Sequence, residues 1–172
     1  FDPFTNFFRL FFAFTTAIVV LFSIPAPEAG GGAARGRGAG EFYALLLAIV
    51  VGMNLMAAAR NLLMIYASLE LVSVISFVMA GFKSNARRSG EAALKYVIFG
   101  GVSSGIMLYG MSFLYGACGS LGLPDIAAKV RESGVSQAVF VGVVFTLAGF
   151  GYKIAAVQFH MWAPDVYEGA PT

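Results

Sequence analysis

Apolar positions along this chain fall in long unbroken runs, without the polar face of an amphipathic helix or the alternation of a half-buried strand. Five runs stand out, over residues 4–24, 42–59, 62–82, 92–115 and 138–162. A helix needs about 20 apolar residues to cross the hydrocarbon core of a bilayer, and each run is close to that length. The first carries Arg9 near one end and the second no charge; the third holds Glu70, the fourth Lys95, and the fifth Lys153 and His160. Helices of a soluble core would each show a polar side, and a cleaved signal has one short apolar segment rather than five. The pattern predicts an all-α polytopic membrane protein with about five transmembrane helices, residues 1–172 forming one transmembrane domain.

The connections suit helices. Residues 25–40 are rich in Gly, Ala and Pro, with Arg35 and Arg37, and read as a flexible loop. Arg60 and Asn61 leave so short a turn that the second and third spans must be antiparallel neighbours. Residues 83–91 form a polar loop in which Ser89, ahead of Gly90 and Glu91, predicts the start of the fourth helix. The link over 116–135 is long enough for a short surface helix near 125–131. Arg35, Arg37, Lys83, Arg87 and Arg88 collect on one side, against Arg9, Arg60, Lys129 and Arg131 on the other. This small excess favours the Lys83–Arg88 side as cytoplasmic.

Composition sharpens the class. Hydrophobic residues are 59% and charged residues 12% of the 172, against about 45–50% and 25% in soluble domains; mean hydropathy is +0.81. A single cysteine, Cys118, and a single histidine, His160, exclude a disulfide framework and leave a Cys/His zinc site without ligands. A net charge of +2 is too balanced for a nucleic-acid surface, so the expected surroundings are a lipid bilayer and other membrane proteins. Opening on Phe1, the chain reads as an internal piece of a longer protein.

Ionisable groups inside apolar spans cost at least ~2.5–3.5 kcal/mol each when central, and they usually face a bundle interior or a water-filled path. Glu70 is too far from either end of its span to reach a surface. Tyr66, Glu70 and Ser73 share a helical face, giving a narrow polar stripe suited either to a protonated, hydrogen-bonded Glu or to proton handling. Lys95, four residues into its span, can snorkel or join a proton path. Lys153 lies deeper, behind Gly149 and Gly151, and shares a face with His160 if the helix is continuous. At ~1.5 Å per residue, Glu70, Lys153 and Lys95 lie roughly 18, 13 and 6 Å from the same surface. Depth therefore makes Lys153 the better partner for Glu70. In the fourth span, Gly101 and Gly105 have the small-xxx-small spacing of close helix packing, and no basic residue follows them to form a phosphate loop.

The most specific text is GYKIAAVQFHMWAPDVYEGAPT over 151–172, joined by SGEAALKYVIFGGVSSGIMLYGMSFLYGACGS and by the Glu in IYASLELVS. From about Glu41 to Thr172 the chain resembles the antiporter-like subunit N family of the proton-pumping NADH:quinone oxidoreductase, respiratory complex I. The first span and its Gly-rich loop match in hydropathy only, and the ALKY and PDVYEGAPT words favour subunit N over its sibling subunits. The resemblance implies a multi-pass protein of a bacterial inner (plasma) membrane, built from inverted repeats of five helices, each repeat with one broken helix. The five spans look like the family's third to seventh helices, with the break in the fifth. It further implies a water-linked proton path through Glu70, Lys95, Lys153 and His160, driven by distant quinone reduction. On that reading the chain holds no cofactor or metal of its own; NADH and quinone are used by the whole complex, and its partners are the other membrane subunits. Two departures stand out: Gln158 replaces a usual Pro, which puts the position of the break in doubt, and Tyr152 replaces a common Phe. A cation/proton antiporter subunit and a structural membrane anchor are the rival readings.

Overall fold

The computed structural model describes residues 2–24, 38–82 and 87–170. Seven helices occur among them: α1 (Pro3–Ser23), α2 (Ala39–Ala57), α3 (Leu62–Ala80), α4 (Arg87–Cys118), α5 (Leu123–Ser133), α6 (Gln137–Lys153) and α7 (Ala163–Gly169). Helices α1 to α4, of 21, 19, 19 and 32 residues, are long and apolar enough to cross a membrane. The fifth run supplies only the 17 residues of α6. Arg35, Arg37 and Lys83, on which the expected orientation leans, lie outside the described residues, as does most of the Gly-rich loop.

Local chemistry explains the boundaries. The Asp2 carboxylate accepts the Thr5 amide hydrogen at 2.6 Å and starts α1; Asn61 Oδ1 accepts that of Leu63 at 2.7 Å and starts α3. The turn between α2 and α3 is pinned from outside, because Leu62 N–H donates to the Leu121 carbonyl at 2.9 Å. The expected surface helix is α5, with Pro124 in its first turn, Asp125 near its positive end and Arg131 near its negative end. Ser89 does not open the fourth helix. It lies within α4, and its buried hydroxyl donates to the Ala80 carbonyl at 2.7 Å, tying the start of α4 to the end of α3.

The fifth run breaks earlier than its hydrophobicity suggests. Helix α6 stops at Lys153 instead of reaching 162. Ala156 N–H donates to the Gly151 carbonyl at 2.8 Å and Ala155 N–H to the Tyr152 carbonyl at 2.9 Å. These are the two bonds of a Schellman ending, with Ala155 in the left-handed position at φ 50° and Gln158 beyond it at φ 81°. Neither position carries the Gly or Pro that usually announces such an ending.

The helices pack α1 on α2, α2 on α3 and α3 on α4, while α6 lies along α4 and α7 crosses its beginning. Glycines let α4 and α6 meet backbone to backbone. A Cβ at Gly110 would lie 2.6 Å from the Thr146 nitrogen, and one at Gly142 2.9 Å from the Gly110 carbonyl oxygen. Gly149 fits against Met107, and Gly100 against the Phe77 ring. The expected packing pair, Gly101 and Gly105, faces outward with nothing within 4 Å among the described residues. Only Gly100 and Gly110 lie on the side of α4 that carries the buried Ser103, Ser104, Met107 and Met111. Two apolar clusters result. Leu62, Met107, Met111, Leu114 and Val139 form one; Ala80, Tyr152, Trp162, Ala163 and Val166 form the other.

Candidate functional site

Glu70 stands between these clusters. It is eight residues from Leu62 and ten from Ala80, so roughly 12 and 15 Å along α3 from residues of each. Lys153 reaches it from α6: the ammonium nitrogen is 3.0 Å from Glu70 Oε1, with the lysine side chain 9% exposed and the glutamate 25%. The ammonium also donates to Ser73 Oγ at 2.8 Å and Ser104 Oγ at 3.2 Å. Its three hydrogens thus meet three oxygens. Ser104 Oγ in turn lies 2.5 Å from Glu70 Oε1 and 2.8 Å from the Gly100 carbonyl. Ser73 donates to the Leu69 carbonyl at 2.7 Å.

The backbone explains why a cation is tolerated at this depth. Lys153 is the last residue of α6, where the negative end of the helix dipole favours a cation. A buried ion pair offsets its desolvation only when the remaining hydrogen-bonding capacity is met, and the two serines meet that of the lysine. The same conditions make the pair responsive, because adding or removing one proton in a low dielectric changes the attraction between the partners by far more than it would in water.

The other candidate residues lie elsewhere. Lys95 Nζ is 2.7 Å from Asp165 Oδ2 and 2.9 Å from Glu91 Oε1, with its side chain 40% exposed. His160 is exposed on the segment between α6 and α7, so the shared helical face that joined it to Lys153 does not exist. Tyr66 packs against the first apolar cluster. Reading the sequence missed Ser104 and Asp165. Ser104 lies in a small-residue stretch with no charge of its own to mark it; its spacing of three and seven residues from the buried Met107 and Met111 places it on the inward face of α4.

A set of membrane-length helices with a broken helix beside a buried Glu–Lys pair defines an antiporter-like membrane fold. Over 98% of its length this chain superposes with a TM-score of 0.84, at 23% identity, on a chain of the membrane-bound sulfane sulfur reductase, an archaeal respiratory membrane complex. Over 97% it superposes with a TM-score of 0.70, at 30% identity, on 42% of a chain of respiratory complex I from Thermus thermophilus. The chain belongs to the NADH:quinone oxidoreductase/Mrp antiporter transmembrane family, which it matches over residues 59–172. It is 58% identical, across its whole length, to NADH-quinone oxidoreductase subunit N 2 of Sorangium cellulosum, and 47% identical to NADH-quinone oxidoreductase subunit N of an Anaeromyxobacter species. The similarity therefore includes the first span, where hydropathy alone had suggested a match. The chain spans about a third of the length of these relatives, covering 35% and 34% of them.

Proposed function

We propose that this chain is part of a proton-translocating membrane subunit of an NADH:quinone oxidoreductase, in which Glu70 and Lys153 are the groups that bind and release the proton. On this reading it contributes one transmembrane domain in a bacterial inner membrane and works beside other membrane subunits. NADH and quinone react elsewhere in the complex, without a cofactor held here. Family membership and the relatives named subunit N support the setting. One observation carries the residue assignment: a nine-tenths buried lysine sits 3.0 Å from a glutamate, at the point where its helix breaks. Protonating Glu70 removes the charge that holds Lys153, and the ammonium can then pass its proton onward. His160, exposed beyond the break, is the next ionisable side chain along the sequence in that direction.

The test is proton uptake by vesicles holding the assembled complex, with electron transfer followed in parallel. Lys153→Arg keeps the charge but does not release its proton, and Glu70→Gln cannot exchange one. Both are expected to assemble and to lose pumping. A normal proton-to-electron ratio in Lys153→Arg makes Lys153 a fixed charge and overturns the assignment. A structural anchor predicts normal pumping with Glu70→Gln and Lys153→Met alike.

A further inference from the structure

Lys95 occupies a second polar cluster, apart from the Glu70–Lys153 pair. It is nine residues before Ser104 on α4, roughly 13 Å along the axis, farther than its side chain can bridge. A cluster of aromatic rings lies beside it. Tyr96 stacks on Trp162 at 4.6 Å and 7°, Trp162 lies 5.2 Å from Tyr152, and Phe77 meets Tyr96 edge-on at 4.6 Å. Trp162 is 7% exposed. Lys95 instead joins two elements: from α4 it grips Asp165 of α7 at 2.7 Å. Arg88 and Glu168 repeat the link at 3.3 Å near the end of α7. Just after Glu168, Gly169 comes so close to α4 that a Cβ there would lie 2.6 Å from Ala92 Cβ and 2.7 Å from the Arg88 carbonyl oxygen.

We infer that Lys95 is a positioning residue and not a proton carrier: its bond to Asp165 fastens the segment after the α6 break onto α4, and this seats Lys153 against Glu70. The mechanical path is short. Asp165 lies three residues after Trp162, which packs between Tyr96 of α4 and Tyr152 of α6, and Tyr152 adjoins Lys153 in sequence. With α7 released, Trp162 loses the support that holds the end of α6, and the ammonium loses its register with Ser73, Ser104 and Glu70. Glu91 also pairs with Lys95, but it lies on the same helix one turn away, so it steadies the lysine without joining the two elements.

The inference rests on the proposed proton-handling role of Glu70 and Lys153, and its test separates the two. Proton-to-electron ratios are measured in vesicles of the assembled complex for Lys95→Met, Lys95→Arg, Asp165→Asn, Glu91→Gln and the double variant Lys95→Met/Asp165→Asn, with Lys153→Arg alongside. Lys95→Met and Asp165→Asn are each expected to lower the ratio, roughly two- to thirtyfold, the span of mutations that act through a packed element rather than on a ligand. The double variant should be no worse than either single one. Glu91→Gln should change little, and Lys95→Arg should recover most of the loss, because a guanidinium keeps the ion pair. If Lys95→Met fails to assemble, the contrast of Asp165→Asn with Glu91→Gln carries the same comparison. Loss of pumping in Lys95→Arg equal to that in Lys95→Met makes Lys95 a proton carrier and overturns the inference; so do additive losses in the double variant. Normal pumping in Lys153→Arg removes the underlying proton role instead, whatever the Lys95 variants do.

Discussion

The contact between α4 and α6 decides whether Lys153 reaches the serine of α4, and one methyl group suffices to test it. In Gly110→Ala the new Cβ falls 2.6 Å from the Thr146 nitrogen, 2.8 Å from the Gly142 carbonyl oxygen and 2.8 Å from Phe145 Cβ. Two of these three neighbours are backbone atoms, so no side chain can swing aside. Ordinary contact begins near 3.4 Å, and the helices must part there by about 0.8 Å. Overpacking of this kind costs roughly 1–3 kcal/mol. A gap of 0.5–1 Å also forfeits about a quarter to a half of each dispersion contact along the seam, where Met107 and Met111 are at most 1% exposed. The 3.2 Å bond from Lys153 to Ser104 spans the same seam and has little length to spare. Gly101→Ala, nine residues away on the outward side, meets nothing within 4 Å among the described residues and removes the glycine penalty of ~0.5–1 kcal/mol within a helix. The two variants should therefore move stability in opposite directions. Thermal inactivation of the detergent-solubilised complex measures this, with pumping read in vesicles. Gly110→Ala should lose heat resistance and lower the proton-to-electron ratio; Gly101→Ala should lose neither. Equal losses in both, or a greater loss in Gly101→Ala, would refute the assignment of the packing face.

Two further predictions concern the ends of helices. Ala155 holds a left-handed conformation that costs an L-residue roughly 1–2 kcal/mol, so Ala155→Gly should preserve the break and raise heat resistance slightly, whereas Ala155→Val should lower it; the reverse order would show that α6 does not end in this conformation. At the start of α1, the amide hydrogen that Thr5 donates to Asp2 holds the Asp2 carboxyl below the usual carboxylate range. A depressed native pKa contributes stability that is fully present above the unfolded value, about 3.9, and is lost as pH falls through the lower native one. Hydrogen exchange at Thr5 should thus keep its protection from neutral pH down to about 4 and lose it below. Asp2→Asn, an equally good cap, should show no such step, and a step in the parent centred above pH 4 would contradict the depressed value.

How much of this was legible beforehand depended on whether a feature was written in residue type or in direction. Run lengths anticipated the four membrane-length helices α1 to α4, because a bilayer imposes one thickness on them all, but overran the fifth. Glu70 stood out because a carboxyl at mid-run has no route to a surface, and counting rise per residue ranked Lys153 ahead of Lys95 as its partner. Direction was harder. Gly101 and Gly105 are spaced like packing residues, yet turning α4 by one residue brings Gly100 inward instead, and no pattern in a run apolar on every side reveals that angle. The end of α6 was hidden for another reason: an alanine and a glutamine take the positions that glycine usually marks, and Ala155 packs against the cluster that holds Trp162. Ser89 has the look of a cap but is used sideways, on the carbonyl end of the preceding helix. Asp165 was passed over because it lies past the last apolar run, and its partner is 70 residues away.

The hydroxyl of Ser104 has one hydrogen and two oxygens to give it to, Glu70 at 2.5 Å and the Gly100 carbonyl at 2.8 Å. While Glu70 is ionised, the carboxylate is the stronger acceptor and draws the hydrogen. A protonated Glu70 that turns its own O–H toward Ser104 reverses the direction of that bond, and the serine hydrogen swings to Gly100. The same atom also accepts from Lys153, so this rotation redirects the lone pairs facing the ammonium without moving any heavy atom. Ser104 is in this sense a compass needle for the charge of Glu70, and the lysine reads it. Threonine at this position would add a methyl that limits rotation about the Cα–Cβ bond and leave the C–O rotor free, whereas alanine would remove the needle altogether.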